Sequence, residues 1–201
     1  MRTPVYGLAG RLRFAAKVAA FMLLASAWAL AFSSGAPLGR TGGFGQPDCT
    51  ACHSDFKTDA GRGMDGFLLL DGVPEVYEPG VAYPIVVYLY HPGQVRWGFQ
   101  LSTRFAGNGA QAGAFEVIDP TYTQVYDFGG PIPYMNQTSA GTYPDTPDFV
   151  AWVFNWRAPE ADLDTVLFHA AGVAANYNGF PSGDYVYRTA ATAMAPGAPD
   201  R

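Results

Sequence analysis

The chain has few of the residues from which catalytic and metal sites are usually built. Its 201 residues include only two cysteines and three histidines, and charged residues make up 14% of them. A structural zinc site needs four ligands, but no second C-x-x-C is present, and His91 and His169 stand alone in the sequence. The chain also has no G-x-S-x-G and no phosphate-binding glycine loop. We therefore find no set of nucleophile, base and acid, and we expect an electron carrier rather than an enzyme.

Long helices are also not expected, because turn-forming residues are spread through the chain. There are 24 glycines and 16 prolines, and neither is concentrated in one tract. This distribution favours many turns between short strands. Hydrophobic residues make up 49% of the chain and aromatic residues 15%, which is enough for a full core. The length suits one domain plus a processed segment.

The two cysteines occur together, in the sequence Cys49-Thr50-Ala51-Cys52-His53. C-x-x-C-H is the attachment signature of a c-type haem. Two thiols at this spacing can each add to one haem vinyl group, and the adjacent imidazole of His53 can then bind the iron as proximal ligand. A disulfide is the main alternative, and half of a metal site is another. The disulfide leaves His53 unexplained, and a thioredoxin-like redox pair would need a βαβ pattern that the sequence lacks.

The first 31 residues are typical of a targeting segment. Four basic residues precede an uncharged apolar run at 18–31, and Ala29-Leu30-Ala31 is a plausible cleavage site. The run is short for a spanning helix, so we predict a signal peptide, with a retained inner-membrane anchor as the alternative. Either outcome places the remainder in the periplasm or outside the cell. Without residues 1–31, the chain keeps 8 basic and 17 acidic residues, a formal charge of −9. This charge argues against nucleic acid and favours a basic partner.

The rest of the chain follows a β pattern after a Gly/Pro-rich lead with the cysteine motif at 32–66. Arg96 to Phe105 alternates, and residues 149–156 carry Trp152, Phe154 and Trp156 on one face. We predict strands at 67–70, 83–90, 96–105, 115–118, 123–128, 149–156, 165–175 and 184–188, and a long loop at 129–148. This spacing predicts an all-β, immunoglobulin-like antiparallel sandwich over residues 67–189. Residues 190–201 are predicted to form a flexible tail.

Several segments occur in an order that resembles the Reelin-like (reeler) domain, especially exported bacterial forms with an N-terminal C-x-x-C-H that are often called choice-of-anchor domains. The segments are T-G-G at 41–43, Y-E-P-G-V-A-Y at 77–83, W-G-F-Q-L at 97–101, F-N-W-R-A-P at 154–159, V-L-F-H-A-A-G at 166–172, A-A-N at 174–176 and G-D-Y-V-Y at 183–187. The resemblance covers residues 41–189. It implies an immunoglobulin-like β-sandwich and says little about activity.

A sixth iron ligand would be a methionine or a histidine. Met135 is our first candidate, because neighbouring prolines stiffen the predicted loop around it. Met64, His91 and His169 are alternatives, and an open position is another. Together these features predict an exported mono-haem c-type cytochrome that transfers one electron at a time to a redox protein or membrane complex. The alternative is a non-catalytic binding or structural subunit of an extracytoplasmic complex.

Overall fold

Nine β-strands form the framework of the part of the chain that the computed structural model describes, which is residues 33–63, 66–161 and 163–197. These residues belong to one compact unit, Ser33–Arg201. The predicted leader, residues 1–31, lies outside the described residues. The strands are β1 (Phe67–Asp71), β2 (Ala82–Tyr90), β3 (Arg96–Phe105), β4 (Ala114–Val117), β5 (Thr123–Tyr126), β6 (Tyr134–Gln137), β7 (Phe149–Arg157), β8 (Val166–Ala175) and β9 (Tyr185–Ala193).

The strands form two antiparallel sheets, which confirms the predicted all-β sandwich. One sheet has four strands in the order β1-β2-β7-β4, and the other has five in the order β5-β6-β3-β8-β9. The central pairing of the larger sheet joins β3 and β8 along their full length, from Arg96 opposite Ala175 to Phe105 opposite Val166. In the described ranges, no helix has the length and apolar character needed to span a bilayer.

Alternation along the strands builds the core between the two sheets. On β7, Trp152, Phe154 and Trp156 are buried, while Ala151 and Val153 face away from the core. Successive side chains of a strand point to opposite faces, so one apolar face per strand is enough to fill the sandwich. The prediction that these three aromatic residues share one face is therefore confirmed.

Two of the predicted segments differ most from the structure. The segment predicted as a loop at 129–148 contains β6, which pairs with both β3 and β5. Strand β9 continues to Ala193, so the first residues of the predicted tail belong to the sheet. Both differences arise because pairing with neighbouring strands overrides a weak local signal.

The N-terminal segment lies on the outer face of the five-stranded sheet. The backbone N–H of Arg40 donates to Oε1 of Gln100 at 2.6 Å, and Nε2 of Gln46 donates to the hydroxyl of Tyr134 at 2.6 Å. Further along the chain, the N–H of Asp59 donates to the carbonyl of Val186 on β9 at 2.8 Å. These contacts hold the cysteine motif against the sheet.

Candidate functional site

The cysteine motif forms one helical turn. Cys49–Ala51 is a 3₁₀ turn, in which the N–H of Cys52 donates to the carbonyl of Cys49 at 3.1 Å. The N–H of His53 donates to the same carbonyl at 2.9 Å. The cysteine motif is therefore one turn, closed by two hydrogen bonds to the carbonyl of Cys49.

Asp48 caps this turn and links it to the rest of the segment. Its Oδ1 accepts hydrogen bonds from the backbone N–H of Thr50 at 2.8 Å and from the Thr50 hydroxyl, and its Oδ2 accepts from Thr58 at 2.7 Å. Arg188 on β9 lies 3.6 Å from Oδ2. Burial raises the pKa of the Asp48 carboxyl, but the hydrogen bonds from Thr50 and Thr58 and the charge of Arg188 outweigh burial. The pKa therefore lies below its usual value of 3.8.

We expect Asp48→Asn to lower the free energy of unfolding by about 1.5–3 kcal/mol at neutral pH, because hydrogen bonds to a charged group are lost. A lowered pKa stabilises the fold above the usual value of 3.8, and this contribution is lost as the pH falls through the folded-state pKa. The wild-type free energy should therefore fall more steeply below about pH 4 than that of the variant. Denaturant unfolding from pH 2 to 7 measures both, with the exposed Asp145→Asn as control. Parallel pH curves for wild type and Asp48→Asn would refute this role.

The two cysteines are free thiols in different surroundings. Cys49 is buried against Ala171, Val173 and Val186 on the outer face of β8 and β9, whereas Cys52 is exposed. Burial raises the pKa of Cys49 to about 12, and the negative charges of Asp48 and Cys52 add to the effect. The thiolate is the reactive form of cysteine, so Cys49 is unreactive while it is buried.

In folded haem-free protein, we expect iodoacetamide to modify Cys52 and leave Cys49 unmodified. With a pKa of about 12, the thiolate fraction of Cys49 at pH 8 is on the order of 10⁻⁴. Peptide mapping after brief labelling measures both sites, and labelling in denaturant provides the control in which both react. Equal labelling of the two cysteines in the folded protein would show that Cys49 is not buried.

His53 is oriented by a carboxylate that lies far from it in the sequence. Its Nδ1 lies 2.7 Å from Oδ2 of Asp184, just before β9. A carboxylate oxygen accepts, so Nδ1 carries a hydrogen, and in the neutral ring Nε2 then holds the free electron pair. Nε2 makes no hydrogen bond to the described residues. A histidine that ligates a metal usually donates its other ring N–H in this way, so His53 fits the predicted role of iron ligand.

The structure does not bring Met135 to His53. Met135 is fully buried in the core and lies opposite Leu101 in the β3–β6 pairing. Its neighbour Asn136 lies opposite Gln100, whose side chain contacts the N-terminal segment on the outer face. Met135 therefore faces the sandwich interior, on the side of the sheet away from the cysteine motif.

The other candidate ligands are also accounted for. Met64 lies outside the described residues. His91 is buried with its Nδ1 2.5 Å from the hydroxyl of Tyr187. His169 lies on β8 under Gly43, with its ring 4.9 Å from that of Phe44. Burial lowers the pKa of His169, and the positive charges of Arg104 and Arg188 lower it further.

Sequence reasoning placed Asp184 at the start of the last predicted strand and gave it no role in the site. It lies 131 positions from His53 in the chain, and no local motif signals the pairing. Among the described residues, no group of three or more His, Cys, Asp or Glu is placed to hold a metal ion. A haem iron takes one or two protein ligands, so this finding bears on a zinc-type site only.

No protein-family model matches the chain, and no curated protein matches it. Among solved structures, the chain is similar to the Reelin-N domain of F-spondin at 20% identity and TM-score 0.43, covering 66% of this chain and 86% of that one. The chain is similar to the human F-spondin reeler domain at 21% identity and TM-score 0.44, covering 66% of this chain and 88% of that one. It is similar to a cohesin module from a Clostridium perfringens family 33 glycoside hydrolase at 7% identity and TM-score 0.47, covering 65% of this chain and 96% of that one. Similarities at this level carry no information about activity.

Proposed function

We propose that the chain is an exported mono-haem c-type cytochrome that transfers one electron at a time. Cys49 and Cys52 would hold one haem through thioether bonds, and Nε2 of His53 would be the proximal iron ligand. The observation that carries this proposal is the orientation of His53, whose Nδ1 is engaged by Asp184 while Nε2 has no hydrogen bond to a described residue. When bound, the haem supplies one-electron chemistry at its iron.

The chain's own residues would bind and orient the group. The helical turn of Cys49–Ala51 sets the spacing of the two sulfur atoms, and Asp48 fixes the start of that turn. Asp184 holds the ring of His53 and fixes its tautomer. The His53 side chain is 28% exposed and Cys52 is exposed, so the site lies near the surface. A surface site suits electron exchange with a redox protein.

The burial of Cys49 sets an order of assembly. A thiol must reach a vinyl group to form a thioether, but Cys49 lies beneath the segment against Ala171 and Val186. Attachment at Cys49 would therefore have to precede docking of the N-terminal segment on the sheet.

The partner proposed for this cytochrome is a redox protein or membrane complex with a basic docking face. Without residues 1–31, the chain carries a formal charge of −9, which would steer a basic partner toward it. The same charge disfavours nucleic acid. We place the protein in the periplasm or outside the cell, with a possible anchor in residues 1–31.

A reduced-minus-oxidised spectrum, recorded with and without carbon monoxide, tests the proposal. Protein made with a c-type maturation system should show the sharp reduced bands of a haem c. The same spectra test Met135, whose role as sixth ligand stays a prediction that the geometry does not support. If Met135 ligates, Met135→Ala should lose the thioether–iron band and gain carbon monoxide binding. Featureless spectra of correctly processed wild type would refute the cytochrome proposal.

A second candidate is a binding or structural subunit of an extracytoplasmic complex. The outer face of the four-stranded sheet favours it, because Phe67, Leu69, Phe149 and Val153 are exposed there. The ring of Tyr88 stacks on Phe149 with centroids 5.7 Å apart, which extends this apolar surface. Exposed apolar patches often mark contacts between proteins. Co-purification from native membranes separates the two candidates: a stable complex without a haem signal supports this one, and a reversible haem potential in the complex counts against it.

A further inference from the structure

Each of the two carboxylate oxygens of Asp184 accepts a hydrogen bond from a different donor. Oδ2 lies 2.7 Å from Nδ1 of His53, and Oδ1 accepts the backbone N–H of Asn176 at 3.1 Å. The residue is 1% exposed. An asparagine in this position has only one oxygen, so it would leave one of the two donors without an acceptor. The geometry therefore requires a carboxylate.

The loop that carries Asp184 is braced on both sides. Nδ2 of Asn176 donates to the carbonyl of Ser182 at 3.0 Å, and the N–H of Gly183 donates to Oδ2 of Asp55 at 2.9 Å. Asp55 follows the cysteine motif by two residues, so the motif and the loop hold each other in place. This bracing fixes the distance between Asp184 and the His53 ring.

We propose that Asp184 is the positioning residue that sets the ligand strength of His53 and lowers the reduction potential of the haem. This inference rests on the proposed function. A buried anion that accepts the Nδ1 hydrogen makes the imidazole a stronger electron donor. A stronger donor stabilises ferric over ferrous iron, and hydrogen bonding to an iron ligand is one of the ways a protein tunes potential. Asp184 thus favours a low-potential electron carrier.

Potentiometric titration of wild type, Asp184→Asn and Asp145→Asn tests the proposal. Asp184→Asn should raise the reduction potential, because the anion is lost while the size of the side chain is kept. Asp145→Asn removes an exposed charge outside the cysteine motif and outside the loop at 176–184, so it should keep the wild-type potential. Equal potentials for wild type and Asp184→Asn, or an equal rise in Asp145→Asn, would overturn the assignment.

Two further measurements keep the test decisive. If Asp184→Asn does not fold, Asp184→Glu replaces it: the moved carboxylate should give a smaller upward shift of the reduction potential, and an unchanged potential would overturn the proposal.

Nitrogen NMR of haem-free protein reports the His53 tautomer without any haem. Wild type and Asp145→Asn should show the Nδ1–H form, and its unchanged retention in Asp184→Ala, which has no side-chain acceptor, would contradict the role of Asp184. A wild type with this tautomer but no haem after maturation would refute the proposed function and leave the tautomer result standing.

Discussion

Replacing both Cys49 and Cys52 by serine is expected to reduce covalently bound haem to the background of a haem-stained denaturing gel. A serine hydroxyl does not add to a haem vinyl group under the conditions in which a thiol does. Each single variant keeps one thiol, so it should retain covalent haem with a lower yield. Stain intensity per amount of protein, measured for all four chains made in the same maturation system, gives the result.

The matched control for the cysteine variants is Ser54→Ala, which changes an exposed side chain directly after the motif. It should stain as strongly as wild type. Staining of the double variant at the wild-type level would show that the haem is not held by the two cysteines. A loss of stain in Ser54→Ala as well would indicate that the segment fails to fold or mature.

Trp156→Ala is expected to lower the free energy of unfolding by about 3–5 kcal/mol, the usual cost of truncating a buried tryptophan. The side chain is fully buried, and its Nε1 donates to the carbonyl of Ala112 at 3.0 Å. Its ring contacts Tyr77 and Phe168, with centroids 5.8 and 4.8 Å away. The variant therefore loses packing in the core together with a buried hydrogen bond. Equilibrium unfolding in urea measures the change.

Val153→Ala provides the control on the same strand. Val153 is 42% exposed and faces the opposite side of β7. Exposed substitutions away from special features usually change stability by less than about 0.5 kcal/mol. A similar loss in both variants would contradict the assignment of the two faces of β7.

The sandwich could be predicted from sequence because its central strands alternate clearly. Trp152, Phe154 and Trp156 define one face of β7 without any knowledge of its partners. Strand β6 could not be found in this way, because its four residues are all buried. Asn136 is stabilised inside the protein by a hydrogen bond from Gln100 of β3 at 3.0 Å, a contact between residues 36 positions apart that no local pattern reveals.

Part of the candidate site could also be predicted from the sequence, and part could not. The cysteine motif and His53 are contiguous, so the spacing alone indicates their chemistry. Asp184 could not be predicted, because its approach to His53 depends on how the N-terminal segment docks on the sheet. Met135 was chosen for the stiffness of a loop, but it lies in a strand whose alternation turns its side chain into the core. Strand pairing decides which face of the sheet a side chain points to. The prolines around Met135 give no information about that pairing.

Mass spectrometry of the unfolded chain, after purification from cells with a c-type maturation system, tests the central claim most directly. Denaturation removes any haem that is not covalently bound, so the mass reports attachment alone. Once the N-terminal processing is read from the same spectrum, the account predicts the mass of the chain plus one haem. The mass of the unmodified chain, or of a chain with Cys49 and Cys52 joined in a disulfide, would contradict it.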